Sequence, residues 1–125
     1  MPPEAKVFIA DKSVRWLDNY SRWLPKGGHQ IVGSIRSAAE VGNAMRYLKS
    51  HGGDIEVAIV DRTLSNSSVE RGSIVRTIKR EYPSVKIIGT SFGPKEAVRE
   101  EVDSDLNLNK EDIEPRMIVD LITGI

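Results

Sequence analysis

The chain has 125 residues, 39% hydrophobic and 29% charged, the balance of one soluble globular domain large enough for a real core. Its 18 Lys and Arg side chains offset 18 Asp and Glu, and this zero net charge argues against a globally basic nucleic-acid binder or a polybasic membrane protein. With no cysteine there is no disulfide framework, no thiolate chemistry and no cysteine-ligated zinc or iron–sulfur site. No apolar run approaches the ~20 residues of a membrane span, and the opening "MPPEAK" has no signal-peptide core, so one cytosolic domain over residues 1–125 is expected.

Strand-like and helix-like patterns alternate from the start. "KVFIAD" (Lys6 to Asp11) predicts a first strand. In "SVRWLDNYSRWLP", Trp16, Leu17, Tyr20, Trp23 and Leu24 fall at helical spacing behind a capping Ser13. Pro25, Gly27 and Gly28 break that helix, and "QIVGSI" predicts a second strand. "SAAEVGNAMRYLKS" opens on the capping-box pattern Ser37 to Glu40, presents Val41, Ala44, Met45 and Leu48 on one face, and stops at Gly52 and Gly53. "VAIV" predicts the third strand, "GSIVRTIKREYP" a helix ended by Pro83, and "VKIIG" the fourth strand. Pro94 opens a short helix, "PKEAVREEV"; "LNL" gives a fifth, polar-interrupted strand; Pro115, suited to a first turn, leads "PRMIVDLI". Five strands alternating with five helices predict an α/β fold, a parallel sheet with helices on both faces.

Such sheets place their sites outside the carboxyl ends of the strands. Asp11 follows the first apolar run, Asp61 the third, Thr90 and Ser91 the fourth and Lys110 the fifth. Each alone has a structural explanation: Asp11 and Asp61 as turn or cap residues, Thr90 as strand-end filler, Lys110 as a surface lysine. Together, two carboxylates, a hydroxyl pair and an ammonium on one edge favour a shared site.

At "IADKS", "VAIVDRTL", "IIGTS" and "LNLNK" the chain resembles the receiver (CheY-like) domain of two-component response regulators, over nearly its whole length from Lys6 to about Ile122. The resemblance implies a doubly wound, flavodoxin-like five-stranded sheet of order 2-1-3-4-5. It implies Asp61 as phosphoacceptor, Thr90 as the hydroxyl sensing the phosphoryl group and Lys110 as its charge partner, and a signalling module in place of an enzyme. It implies a sensor histidine kinase or phosphotransfer protein upstream and an output domain or protein downstream, with no direct nucleic-acid or membrane contact. A carboxylate can accept a phosphoryl group when cations and hydrogen-bond donors neutralise the developing oxygen charge. The family uses Mg²⁺ for much of this, and the corresponding ligands here would be Asp11, Asp61 and the Thr63 carbonyl.

Four departures bear on that reading. The family's adjacent acidic pair is Asp11 and Lys12, so an ammonium replaces the acid that would touch the metal. Mg²⁺ binding should be weak or lost, with Lys12 either taking the cation's place against Asp61 or snorkelling to water. The loop "RTLSNSSVERG" is longer than usual and carries Ser65 where proline is typical. Asn107 stands where an aromatic normally swings during activation, and Glu111 replaces proline after Lys110. The broken pair and Asn107 are typical of pseudo-receivers that bind partners without phosphorylation, the alternative function. Lys95, Arg99 and Arg116 would then be available to an acidic partner.

Other chemistries on the same fold find less support. A haloacid-dehalogenase-type phosphatase needs an Asp at Thr63, a P-loop needs G-x-x-x-x-G-K-[ST], and a flavodoxin needs a hydroxyl-rich loop where "DKSVR" supplies only Ser13. His29 and His51 lie in predicted turns without metal-ligand spacing and are expected at the surface. The Trp16, Tyr20 and Trp23 stripe is expected in the core, and "KEAVREE" on a solvated face.

Overall fold

The computed structural model describes residues 4–61, 64, 68–91, 104–110 and 113–124, with backbone only at 68–71. The strands are β1 (Lys6–Ala10), β2 (Gln30–Ile35), β3 (Val57–Asp61), β4 (Lys86–Ser91) and β5 (Leu106–Asn109). The helices are α1 (Val14–Lys26), α2 (Val41–Ser50), preceded by a single 3₁₀ turn at Ala38–Glu40, α3 (Ser68–Glu81) and α4 (Pro115–Gly124). All strand pairings are parallel and the order is β2-β1-β3-β4-β5, as expected. The helix expected at "PKEAVREEV" lies outside the described residues, as do Lys95, Arg99, Thr63, Ser65 and Glu111. Among the described residues, no helix is long and apolar enough to cross a membrane.

The sheet is covered on both faces, and side-chain alternation sorts its residues between two cores. Phe8, Ala10, Ala58, Val60 and Ile87 pack toward α2 and α3 with Met45, Leu48, Ile74 and Ile78. Val7, Ile9, Val57, Ile59 and Ile88 pack toward α1 and α4 with Trp16, Tyr20, Leu24, Ile118 and Ile122, and Leu106 and Leu108 of β5 join them. Continuing that alternation by one step puts Asp11, Asp61, Thr90 and Lys110 all on the α1/α4 side at the carboxyl edge. The same step sends Ser91 and Asn107 to the other side, which splits the expected hydroxyl pair.

Ser13 caps α1, its Oγ accepting from the Trp16 N–H at 3.3 Å. The buried stripe of α1 is Trp16, Tyr20 and Leu24; Trp23 is only half-buried, with the Lys26 ammonium 4.9 Å from its ring centre. The helix closes at Gly27, and Gly28 takes φ +85°, a left-handed conformation that glycine adopts without steric cost. The expected capping box forms differently. Ser37 makes no side-chain cap, and Glu40 instead accepts from the Arg36 N–H at 2.9 Å, which stabilises the 3₁₀ turn ahead of α2.

His29 corrects a sequence expectation. It is buried, not superficial: its Nδ1 accepts from the Ala5 N–H at 3.1 Å, so Nε2 carries the proton and faces Thr123 Oγ1 at 3.1 Å. Thr123 in turn donates to the Val119 carbonyl at 2.9 Å, which ties the start of β1 to α4. His51 is exposed, as expected, and stacks on Tyr47.

Candidate functional site

The carboxyl edge brings together the residues expected there. The Asp11 N–H donates to the Ile35 carbonyl at 3.0 Å, which extends the β1–β2 ladder and fixes the Asp11 backbone. Asp61 pairs in register with Thr90 on β4, and Thr90 with Leu108 on β5. The Lys110 N–H donates to the Ser91 carbonyl at 2.8 Å, so Lys110 starts its side chain from a fixed point.

Lys110 crosses the edge and holds both acids. Its ammonium donates to Asp11 Oδ2 at 2.6 Å and to Asp61 Oδ2 at 3.1 Å, and all three side chains are buried. Asp11 Oδ1 also accepts from the Ser13 N–H at 2.9 Å, so one carboxylate joins the site to the cap of α1. Buried charges of this kind persist only when paired and hydrogen-bonded. Burial nevertheless dominates at Asp11: helped by the neighbouring Asp61 charge and opposed by Lys110 and the Ser13 N–H, it pushes the Asp11 carboxyl up to about 6.

The cation at Asp61 is therefore Lys110 and not Lys12. The Lys12 side chain is exposed, while its carbonyl accepts from Arg36 Nε and Nη2 at 3.3 and 3.1 Å. Alternation explains the outcome, since the residue after an inward-facing Asp11 leaves the edge toward water. The expectation that the Lys12 ammonium lies near Asp61 is therefore not met, and the side chain snorkels to solvent instead.

Sequence reasoning placed Trp16 and Tyr20 in the core but missed their part in the site. The Trp16 ring lies beneath the Lys110 ammonium, 5.2 Å from nitrogen to ring centre, and meets Tyr20 at 5.7 Å between ring centres. Tyr20 is 1% exposed and Thr90 fully buried, and among the described residues neither hydroxyl, nor that of Ser91, has a hydrogen-bond partner. Burial, then the Asp11 and Asp61 charges, push the Tyr20 phenol far up, with the adjacent Thr90 hydroxyl opposing them. The available signal was spacing: Trp16 and Tyr20 stand one and two turns into a helix that begins at the edge.

Among the described residues, two carboxylates face this site, and both bond to Lys110. Among the described residues, no group of three or more His, Cys, Asp or Glu side chains could hold a metal ion. A divalent cation would have to compete with the ammonium for the same two oxygens, and the donors present fit it poorly. Asn107 is exposed, its Oδ1 accepting from Ser104 Oγ at 2.7 Å. Arg116 is exposed and ion-paired with Glu114 at 2.9 Å, which reduces its availability to an acidic partner.

No protein-family model matches the sequence. No curated protein matches it either. The three-dimensional likenesses are extensive. A response regulator from Thermotoga maritima superposes with a TM-score of 0.75 at 17% identity, covering 98% of this chain and 97% of that one. A response regulator receiver domain protein from Clostridium thermocellum gives 0.66 at 21% identity, covering 96% and 92%. The response regulator PhyR from Brucella abortus gives 0.76 at 17% identity; the match covers 98% of this chain but 47% of that longer protein. The chain has the receiver fold.

Proposed function

We propose that this chain is a receiver-like signalling module whose input site is Asp61. The observation that carries the reading is the Lys110 ammonium, buried between Asp11 and Asp61 at the carboxyl edge of a receiver-fold sheet, beside Thr90. In the proposed reaction an Asp61 carboxylate oxygen attacks the phosphorus of a phosphoryl donor. The bond from phosphorus to the donor's leaving group breaks, the leaving group departs with that electron pair, and an acyl phosphate forms on Asp61. Lys110 and the Thr90 hydroxyl would neutralise charge on the phosphoryl oxygens, as preorganised donors do. Mg²⁺, where it binds, would add a cation held by Asp11 and Asp61, with weak affinity because Lys110 already occupies both. The partners this implies are a histidine kinase or phosphotransfer protein and a downstream output protein or domain.

Incubation with acetyl phosphate, with and without Mg²⁺, followed by intact-mass measurement tests the reading. A single added phosphoryl group, lost in Asp61→Asn, is the expected result. An unchanged mass under both conditions would favour a second reading, a phosphorylation-independent pseudo-receiver that binds a protein partner in one state. What supports that second reading is that Lys110 already neutralises the two acids and that Asn107 bonds outward to Ser104.

A further inference from the structure

The other face of the sheet, covered by α2 and α3, carries a charged surface of its own. A groove of about 430 Å³ opens between these helices, with Arg46 and Lys49 on the α2 wall, Arg80 and Glu81 on the α3 wall and the buried Met45 at its base. The whole chain is neutral, yet here three cations gather against one acid. Among the described residues, none of the three cations forms an ion pair. Helix ends explain part of this, since Lys49 and Arg80 lie in last turns, where a cation complements the helix dipole. Arg46 stands a turn earlier. Its Nη2 donates to Asn43 Oδ1, and its Nη1 lies 3.6 Å from where a β-carbon on Gly42 would stand, so the side chain folds along α2 over the glycine. The Lys49 ammonium lies 4.5 Å from the centre of the Tyr82 ring, whose hydroxyl donates to the Gly53 carbonyl at 3.0 Å. Two exposed cations are thus held in place, and most donors of the Arg46 guanidinium take no protein partner among the described residues. Groups ordered in advance lose less entropy on binding. The groove between α1 and α4 differs: Asp120 lines it with Lys26 and Arg116, and Arg116 already pairs with Glu114.

We propose that the α2/α3 groove docks a carboxylate-rich segment of a partner protein. Arg46 and Arg80 offer planar forks that match a carboxylate, Lys49 adds a third cation, and Met45 gives an apolar base for a side chain between two acids. A nucleic-acid strand fits less well. Glu81 in the wall repels phosphates, and among the described residues no aromatic side chain lines the groove for bases to stack on. The assignment does not rest on Asp61 as phosphoacceptor.

The test follows amide spectra of the free protein during titration with a blocked synthetic peptide in which leucines alternate with pairs of glutamates. Saturable shifts are expected at 42–50 and 77–82, with affinity falling as salt is raised, because these cations are exposed. Affinity should drop at least threefold in Arg46→Gln and in Arg80→Gln. It should stay within twofold in Arg22→Gln, which removes the same charge from an exposed position on α1. All three substituted side chains are exposed, and matching thermal unfolding midpoints check that each variant is folded. Asp61→Asn should bind the peptide as the wild type does, so a failure of phosphorylation at Asp61 leaves the groove assignment standing. The absence of saturable shifts would overturn the proposal, as would equal weakening by Arg22→Gln or equal binding of the glutamine version of the peptide. Tighter binding of a thymidine oligonucleotide of matching charge at the same residues would also overturn it, in favour of a nucleic-acid strand.

Discussion

At Lys110 a single ammonium serves two buried carboxylates, and the energetics of the edge follow from that sharing. Removing the cation leaves both acids buried without their shared ammonium, so Lys110→Met should destabilise the fold by about 3–5 kcal/mol in urea unfolding at neutral pH. Asp11 behaves in the opposite sense. Its folded-state carboxyl, pushed up to about 6 from 3.8, binds a proton more tightly than in the unfolded chain. Between pH 4 and 6 the folded state therefore holds more protons than the unfolded one, and this residue's contribution to stability falls as pH rises. Asp11→Asn should match the wild type near pH 4 and exceed it at pH 7. The gain should be about 1–2 kcal/mol. Thermal unfolding of both proteins across that range checks it, and a variant less stable at pH 7 would show that the Lys110 and Ser13 contacts outweigh burial. The four residues of the edge were legible because each follows an apolar run and strand periodicity points them one way. The identity of the cation at Asp61 was not legible. Lys12 lies next to Asp11 in sequence, but alternation turns it to water, while Lys110 arrives from a strand two positions away in the sheet.

Among the elements, β3 and β4 were legible from short apolar runs rich in β-branched residues, and each extends beyond its apolar stretch to include Asp61 or Thr90 and Ser91. The joints between elements were not legible, because they depend on distances that only the fold sets. His29 is one: a turn histidine by sequence, it clasps β1 to α4 through both ring nitrogens. His29→Phe keeps the ring's bulk but orphans the Ala5 N–H and removes the Thr123 partner, so it should cost about 1–3 kcal/mol in unfolding free energy. Gly27 is the other. Gly27→Ala drives a methyl into Val119 and should cost about 1–3 kcal/mol by overpacking. The double variant Gly27→Ala with Val119→Ala should recover part of that loss relative to the sum of the single effects. A strictly additive pair would remove the steric explanation.

Across the whole molecule, one five-stranded sheet separates two cores, and its strands are unequally secured. The order 2-1-3-4-5 came from the family resemblance, since alternation alone permits other parallel orders. Within it β3 is central, paired to β1 and β4, and all five of its residues are buried. β5 has four residues, none fully buried, and a single neighbour. Among the described residues, Leu106 and Leu108 against the α1/α4 core and Lys110 reaching back to the two acids help to secure β5 beyond its ladder. Strands with few buried contacts open locally, at free energies below that of global unfolding. In native-state hydrogen exchange, amides of 57–60 should therefore exchange only through global unfolding, with opening free energies equal to that from urea. Amides of 106–109 should exchange at least tenfold faster. Salt should not loosen the Lys110 bridge: screening by 0.5 M salt should leave β5 nearly unchanged, because the ion pair is buried and screening acts mainly on exposed charges. Marked loosening of 106–109 by salt, with 57–60 unaffected, would show instead that water reaches the bridge and that β5 is held at its carboxyl end by a solvated pair.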